Sequence, residues 1–150
     1  MDVIDQKVLR MLQSHPTASM TDLAAMVSMS HTACWKRVKR LERDGYIAGR
    51  AVLLNQRAVG LNITAMVEIK IEKHTAEKLD VFESSVDDIP EIIACYSMSG
   101  DSDYILHVVA KSIEDYEQFL KGKLSRLPHV ESIKSNFALK LVKNTTDLPV

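Results

Sequence analysis

The sequence predicts an α+β protein in two parts, three short helices followed by a unit with the element order βαββαβ. Two observations carry this. Apolar residues recur at helical spacing up to about residue 48, then with a period of two from Ile63 onward. Charge changes sign near the same place. Residues 1–60 carry nine Lys/Arg against five Asp/Glu, a balance of +4, and residues 61–150 carry ten against fifteen, a balance of −5. The divisions that follow are a first domain at 1–48, a linker with a connecting strand at 49–62 and a second domain at 63–150.

In the first domain, Ile4, Val8, Met11 and Leu12 mark one face of a helix over residues 2–13, with Pro16 beyond its end. Thr21 is a suitable N-cap for a second helix through Leu23, Ala24 and Val27. The small pair Ala24-Ala25 suits close crossing with a third helix. Ser28-Met29 breaks the second helix, Ser30 caps the third, and Gly45 closes it just past Asp44. Three helices with so short a turn before the last make a helix-turn-helix.

At about 100° per residue, Cys34, Val38 and Leu41 form a narrow apolar seam on the third helix. Thr32, Lys36, Lys39, Arg40 and Arg43 form the opposite arc, with Arg37 at its edge and only Glu42 and Asp44 as counter-charge. A basic face on an isolated helix is ordinarily just solvated. On the helix that this motif inserts into the major groove, it predicts binding to double-stranded DNA. Thr32 and Ala33 are then closest to base edges, with His31 at the rim. Lys36 and Arg40 reach bases or phosphates, and Lys39 and Arg43 reach phosphates. Trp35 lies on the flank of the seam and is expected to pack against the first helix rather than to act as a base wedge. The reading requires the cationic tips to project outward, free of carboxylates of their own chain.

In the linker, Ala51–Leu54 reads as a short connecting strand before a turn. Beyond it, Ile63, Ala65, Val67, Ile69 and Ile71 alternate with polar residues along a half-buried strand. Leu79, Phe82 and Val86 mark a helix, 92–98 a second strand, Gly100-Asp101-Ser102 a turn, and Tyr104, Leu106, Val108 and Ala110 a third strand. Ser112-x-x-Asp115 opens a helix with Ile113, Tyr116, Phe119, Leu120 and Leu124 on its face, ended by Pro128. Ile133, Ser135, Phe137, Leu139 and Leu141 alternate along a fourth strand. This order is the ferredoxin-like arrangement. Its two helices share one sheet face, yet the second and third strands are apolar on both, so a second copy is expected to cover the open face as a homodimer.

Composition removes other classes. Apolar residues make up 46% and charged residues 26% of the 150, the usual balance of a globular domain. No apolar run exceeds five residues, as in Ile92–Tyr96, where a membrane helix needs roughly 20. Met1-Asp2 opens no secretory signal, and Cys34 and Cys95, in no metal or redox spacing, read as buried, reduced thiols of a cytoplasmic protein. His15, His31, His74, His107 and His129 show no metal spacing, and no nucleotide-binding, metalloprotease or serine-hydrolase motif is present. His107 is expected to be a packed or interface residue. Neither enzyme activity, cofactor nor metal is expected.

Four segments, in this order, resemble the Lrp/AsnC (leucine-responsive / asparagine regulator, feast/famine) family of transcription regulators. They are D-x-x-D-x-x-V-L-x-x-L from Asp2 to Leu12, LAAMVSMSHTACWKRVKRLERDGYIAG at 23–49, SGDSDYIL at 99–106 and LPHVESIKSNFALKLVK at 127–143. The resemblance implies DNA binding tuned by a small effector, usually an amino acid, in dimers that often assemble into octamers. It places the effector at the loop of Met98, Ser99, Gly100, Asp101, Asp103 and Tyr104, at a junction between dimers. By residue chemistry, loop amides can take a carboxylate and Asp101 or Asp103 an ammonium group, although Gly-Asp-Ser-Asp would make a hairpin turn in any case. Two positions depart from the family pattern: Ser28 stands where Gly is usual in the turn, and Ala18-Ser19 where an Arg-Ile pair is common. A sensor acting on a partner enzyme is the alternative output; it would place exposed apolar anchors on the third helix.

Overall fold

The computed structural model describes residues 1–73 and 75–150; His74 lies outside them. The chain divides into two units, Met1–Val52 with Val142–Val150, and Leu53–Leu141.

The first unit holds α1 (Val3–Ser14), α2 (Met20–Met26) and α3 (His31–Arg43), and no strand lies within residues 1–48. Each helix begins at a side-chain cap. Asp2 and Asp5 form a capping box on α1, Ser19 and Asp22 one on α2, and Ser30 accepts from the Ala33 N–H of α3. The cap of α2 is therefore Ser19 rather than Thr21, because only Ser19 has an acidic partner three residues on. Val8, Leu9, Leu23, Ala24, Val27, Cys34, Val38 and Leu41 make the core. Ile4 and Ala25 are exposed, contrary to the pattern reading, and Leu9 takes the buried place on α1.

Ser28 adopts a left-handed conformation, φ 57°, between α2 and α3. There the Met29 N–H reaches the Ala24 carbonyl at 2.9 Å, which turns the chain into α3. Gly45, φ 79°, ends α3 in the same way. Residues 142–150 also belong to this unit. The Gln13 side chain accepts from the Leu148 N–H at 2.7 Å and donates to the Leu148 carbonyl at 3.0 Å, and Val150 packs on the helical core.

The second unit contains β1 (Ile63–Ile71), α4 (Ala76–Asp87), β2 (Ile92–Ser97), β3 (Tyr104–Ala110), α5 (Ile113–Gly122), a 3₁₀ turn (Leu124–Arg126) and β4 (Val130–Phe137). The four-stranded sheet has the order β2-β3-β1-β4 with antiparallel neighbours, the ferredoxin-like arrangement. Ala65, Val67, Ile69 and Ile71 of β1 and Tyr104, Leu106, Val108 and Ala110 of β3 face Phe82 and Val86 of α4 and Tyr116 and Phe119 of α5. Met66, Ala94, Tyr96, Ile105, His107 and Val109 fall on the other face by register.

Several boundaries differ from the pattern reading. Ala51–Leu54 is not a strand, and Val52, Leu53 and Leu54 are exposed. β4 ends at Phe137, because after Ala138 donates to Thr64 the partner strand β1 runs out, leaving Leu139 and Leu141 exposed. α5 ends at Gly122, and Leu124 is buried through the 3₁₀ turn instead. Cys34 is buried as expected, but Cys95 is exposed on the edge strand β2.

The left-handed Ser28 sets an expectation for unfolding experiments. Ser28→Gly is expected to hold or raise the thermal midpoint, whereas Ser28→Val, whose branched side chain suits this conformation poorly, is expected to cost about 1–2 kcal/mol.

Candidate nucleic-acid interface and effector loop

Helix α3 buries Cys34, Val38 and Leu41 and leaves His31, Thr32, Ala33, Lys36, Lys39, Arg40 and Arg43 exposed. Arg37 is half-buried. Met29, Ala33, Lys36, Arg37 and Arg40 line a shallow groove of about 300 Å³. All eight candidate DNA-binding residues therefore lie on one helix, and four of the eight, Ala33, Lys36, Arg37 and Arg40, share this groove.

The expectation of tips free of their own chain's carboxylates is not met, because α1 supplies two aspartates that the sequence reading left out. Asp5, 1% exposed, accepts from Arg37 Nη1 and Arg40 Nη2, each at 2.5 Å. Asp2 accepts from Arg37 Nη1 at 2.7 Å. Lys39 meets Glu42 at 2.8 Å and Arg43 meets Asp44 at 3.0 Å. Lys36 has no carboxylate partner among the described residues. These pairs are not equivalent. The Arg37 side chain is 20% exposed and is withdrawn into the α1–α3 contact, whereas that of Arg40 is 43% exposed and presents its outer edge to solvent. The Lys39 and Arg43 pairs are exposed, screened by salt and weak, so neither fixes its cation in place.

Burial pushes the Asp5 carboxyl up. The Asp2 N–H, the Arg37 guanidinium bonded to it, and the charges of Arg37 and Arg40 outweigh that and hold it at about 2. The D-x-x-D spacing at the start of α1 is the signal that identifies Asp2 and Asp5. It serves as a cap and as an acidic clamp on α3.

Trp35 is not buried as that expectation requires; it is 46% exposed on the flank of α3. His107 is half-buried on the open sheet face opposite Met66 and Ala94. Its Nε2 is buried with no hydrogen-bond partner among the described residues, and burial lowers its pKa.

The candidate effector residues separate into two groups. Met98, Ser99, Gly100 and Asp101 are exposed in the β2–β3 loop, and a Cβ at Gly100 would meet no atom within 4 Å. Asp103 and Tyr104 are engaged internally. The Asp103 carboxylate accepts from the Ile71 N–H at 2.7 Å, its own N–H donates to the Ile69 carbonyl at 2.9 Å, and its carbonyl accepts from Met98 at 2.8 Å. Asp103 thus anchors the loop to the end of β1. Tyr104 is buried on Phe82 with ring centroids 4.7 Å apart, and its hydroxyl donates to Glu83 at 2.6 Å. Burial, the Glu83 bond and the Glu83 charge raise the Tyr104 pKa. Tyr104 also borders a cleft of about 570 Å³ that Asp80, Glu83, Asp87, Cys95 and Ser97 line, but the four exposed loop residues do not. Among the described residues, no His/Cys/Asp/Glu group is arranged to hold a metal.

A helix-turn-helix with a cationic outer face, joined to a ferredoxin-like unit carrying an exposed loop, defines a class: a DNA-binding regulator with a separate sensing domain. Family models agree. One described as winged helix-turn-helix DNA-binding matches residues 1–48, and one described as the Lrp/AsnC ligand binding domain matches residues 64–148. The chain belongs to the Lrp/AsnC family of transcription regulators, and its domains and relatives are those of regulators, not enzymes. It is 37% identical over 150 residues to the DNA-binding transcriptional activator DecR of Escherichia coli K12, covering 100% of this chain and 99% of that protein. An AsnC family transcriptional regulator from Agrobacterium tumefaciens is 39% identical with a TM-score of 0.94, covering 99% and 97% of the two chains. A Neisseria meningitidis transcriptional regulator, solved as its L-Met complex, is 30% identical with a TM-score of 0.94, covering 99% and 96%.

The depressed Asp5 pKa fixes the sign of an acid transition. The stabilisation is fully present above the ordinary carboxylate value of 3.8 and is lost as pH falls through about 2. Between pH 4 and pH 2, Asp5→Asn should therefore show a shallower loss of helical-unit stability than the unsubstituted protein, measured by circular dichroism. At neutral pH the substitution is expected to lower stability by about 2 kcal/mol, since it removes the charge that pairs both arginines and turns one of the two accepting oxygens into an amide donor.

Proposed function

We propose that this regulator inserts α3 into the major groove and responds to an amino acid bound at the β2–β3 loop. The observation that carries the DNA half is the exposed first half of α3. Thr32 and Ala33 face outward, Lys36 has no carboxylate partner among the described residues, and Arg40 is held by Asp5 with its outer edge open. In this reading His31, Thr32 and Ala33 meet base edges, and Lys36 and Arg40 meet bases or phosphates. Lys39 and Arg43 exchange Glu42 and Asp44 for phosphates. Arg37 acts mainly as the anchor of α3 on α1.

The effector half rests on the division within the loop. Asp103 and Tyr104 shape it from inside. Gly100 amides are offered to a carboxylate and Asp101 to an ammonium group, with Met98 and Ser99 beside them. The four loop residues are exposed and line neither the 570 Å³ cleft nor the groove on α3, and in this reading a second copy completes the site. The apolar open face, with Met66, Tyr96 and Ile105, suits a homodimer, and further assembly such as an octamer would bring loops of different dimers together. The L-Met complex of the Neisseria meningitidis relative supports an amino acid as the ligand class. A regulator that acts on the chromosome of a prokaryotic cell works in the cytoplasm. Linkage of about 1–3 kcal/mol between effector and assembly state changes DNA affinity about 5–150-fold.

The test is a titration of the twenty amino acids into the protein on its own upstream DNA, following anisotropy and particle mass together. At least one amino acid should shift both; no shift with any of them overturns the effector reading. Lys36→Ala is expected to weaken duplex binding and reduce the salt slope by about one unit, and an unchanged slope would remove Lys36 from the interface. Asp101→Asn should weaken the amino-acid response about tenfold or more, the loss expected of one charge-assisted hydrogen bond, while DNA binding without effector stays unchanged.

A further inference from the structure

Helix α3 carries one large side chain that its own fold does not use. Trp35, the single tryptophan of the chain, is 46% exposed, while the buried seam is filled by Cys34, Val38 and Leu41. Among the described residues its ring stacks on no other aromatic, and its indole N–H donates no hydrogen bond. Helical spacing sets it beside the exposed His31 at i−4, Thr32 at i−3 and Lys39 at i+4, with the buried Val38 at i+3 beneath it on the seam side. That flank lies across the outward arc from the one where Arg37 and Arg40 meet Asp5.

The chemistry of these neighbours selects the occupant. An apolar anchor for a protein partner sits among other exposed apolar side chains, but the exposed helical neighbours of Trp35 are polar or cationic. An indole among such groups suits a surface that combines apolar edges with anionic oxygens. The sugar–phosphate backbone is such a surface, with deoxyribose for the ring face and phosphate for the N–H. A residue at the edge of the arc, rather than its centre, meets the wall of the groove rather than its floor.

We propose that Trp35 is a backbone-contact residue of the DNA interface: its ring lies against deoxyribose on the groove wall and its Nε1–H donates to a phosphate oxygen. This rests on α3 occupying the major groove, as set out above. The contact carries no sequence information; it fixes the rotation of α3 about its own axis and thereby aims Thr32 and Ala33 at the bases. Arg40, held by Asp5, supports the other flank.

Because the chain has one tryptophan, the intact protein reports on this contact directly. The probe is a mixed-sequence duplex of about three helical turns at low salt, since a wall contact is independent of sequence. Anisotropy of an end-labelled copy reports binding, and tryptophan emission with acrylamide quenching reports Trp35. Emission is expected to change, and acrylamide access to fall, at the DNA concentrations that saturate anisotropy. Trp35→Ala is expected to weaken binding about tenfold, with Trp35→Phe intermediate because it keeps a ring and loses the donor. The salt slope should not change, since no charge is removed, and neither should the thermal midpoint, since the residue is exposed.

Saturating anisotropy with unchanged emission and quenching overturns the proposal and leaves the placement of α3 standing. A Trp35→Ala variant that binds as well as the unsubstituted protein overturns it too. Emission that changes with protein concentration, and not with duplex, assigns Trp35 to contact between copies and also overturns it. Absence of any binding by the unsubstituted protein removes the groove placement and the proposal together.

Discussion

The DNA-binding unit depends on one buried carboxylate. Asp5 accepts from a backbone N–H of its own helix cap and from two arginines of α3, so it joins the start of α1 to α3 through charged bonds. A buried charge is tolerated only when it is paired and hydrogen-bonded, and Asp5 is both. The two arginines differ in consequence. Arg37, bound by both aspartates, becomes part of the scaffold. Arg40, bound on one side only, is held in place with its outer edge open, and in the proposed interface it has little freedom left to lose on binding. In the proposed interface, a carboxylate among the cations looks like a cost in affinity. Its return is a fixed orientation, and orientation underlies discrimination between sequences.

The sensing unit applies the same economy to its loop. Asp103 and Tyr104, though adjacent to Asp101 in sequence, are committed inward, one to the end of β1 and the other to Phe82 and Glu83. The loop is therefore held at both of its roots while its tip, Ser99 to Asp101, stays exposed. A tip supported in this way can meet a ligand or another copy without reorganising the sheet beneath it. The open sheet face shows a comparable division. Glu68, Lys134, Asn136 and Ser102 form a hydrogen-bonded polar patch, and Met66, Ile105, Tyr96 and the partnerless Nε2 of His107 leave an apolar one.

Most of the fold was legible in the sequence because its signals were local. Ser30 and Gly45 bracket α3, and the alternation from Ile63 to Ile71 defines β1. What was not legible depended on distant partners. Ala51–Leu54 and Leu139–Leu141 have strand-like composition, but a strand exists only where a neighbour offers hydrogen bonds, and none does. Cys95 looks like a core residue until β2 is known to be the edge strand. The cationic arc of α3 was readable as an arc, yet the counter-ions of Arg37 and Arg40 lie about 35 residues away at the start of α1, and periodicity within one helix carries no trace of them. The same limit applies to Trp35, whose size suggested burial that the packing of α1 does not provide.

The pairing of Gln13 with Leu148 has an architectural consequence. Because residues 142–150 return to the helical unit, the chain crosses between its two units twice, after Val52 and after Leu141. The sensor is therefore an insertion within the DNA-binding unit rather than an appendage to it. Grafting a foreign sensor onto this reading head requires two splice points instead of one, and a fragment cut at the linker leaves the Gln13 amide without its backbone partner. During synthesis, too, the helical unit acquires its final strap only after the whole sheet has been made, so its assembly finishes last although it is translated first.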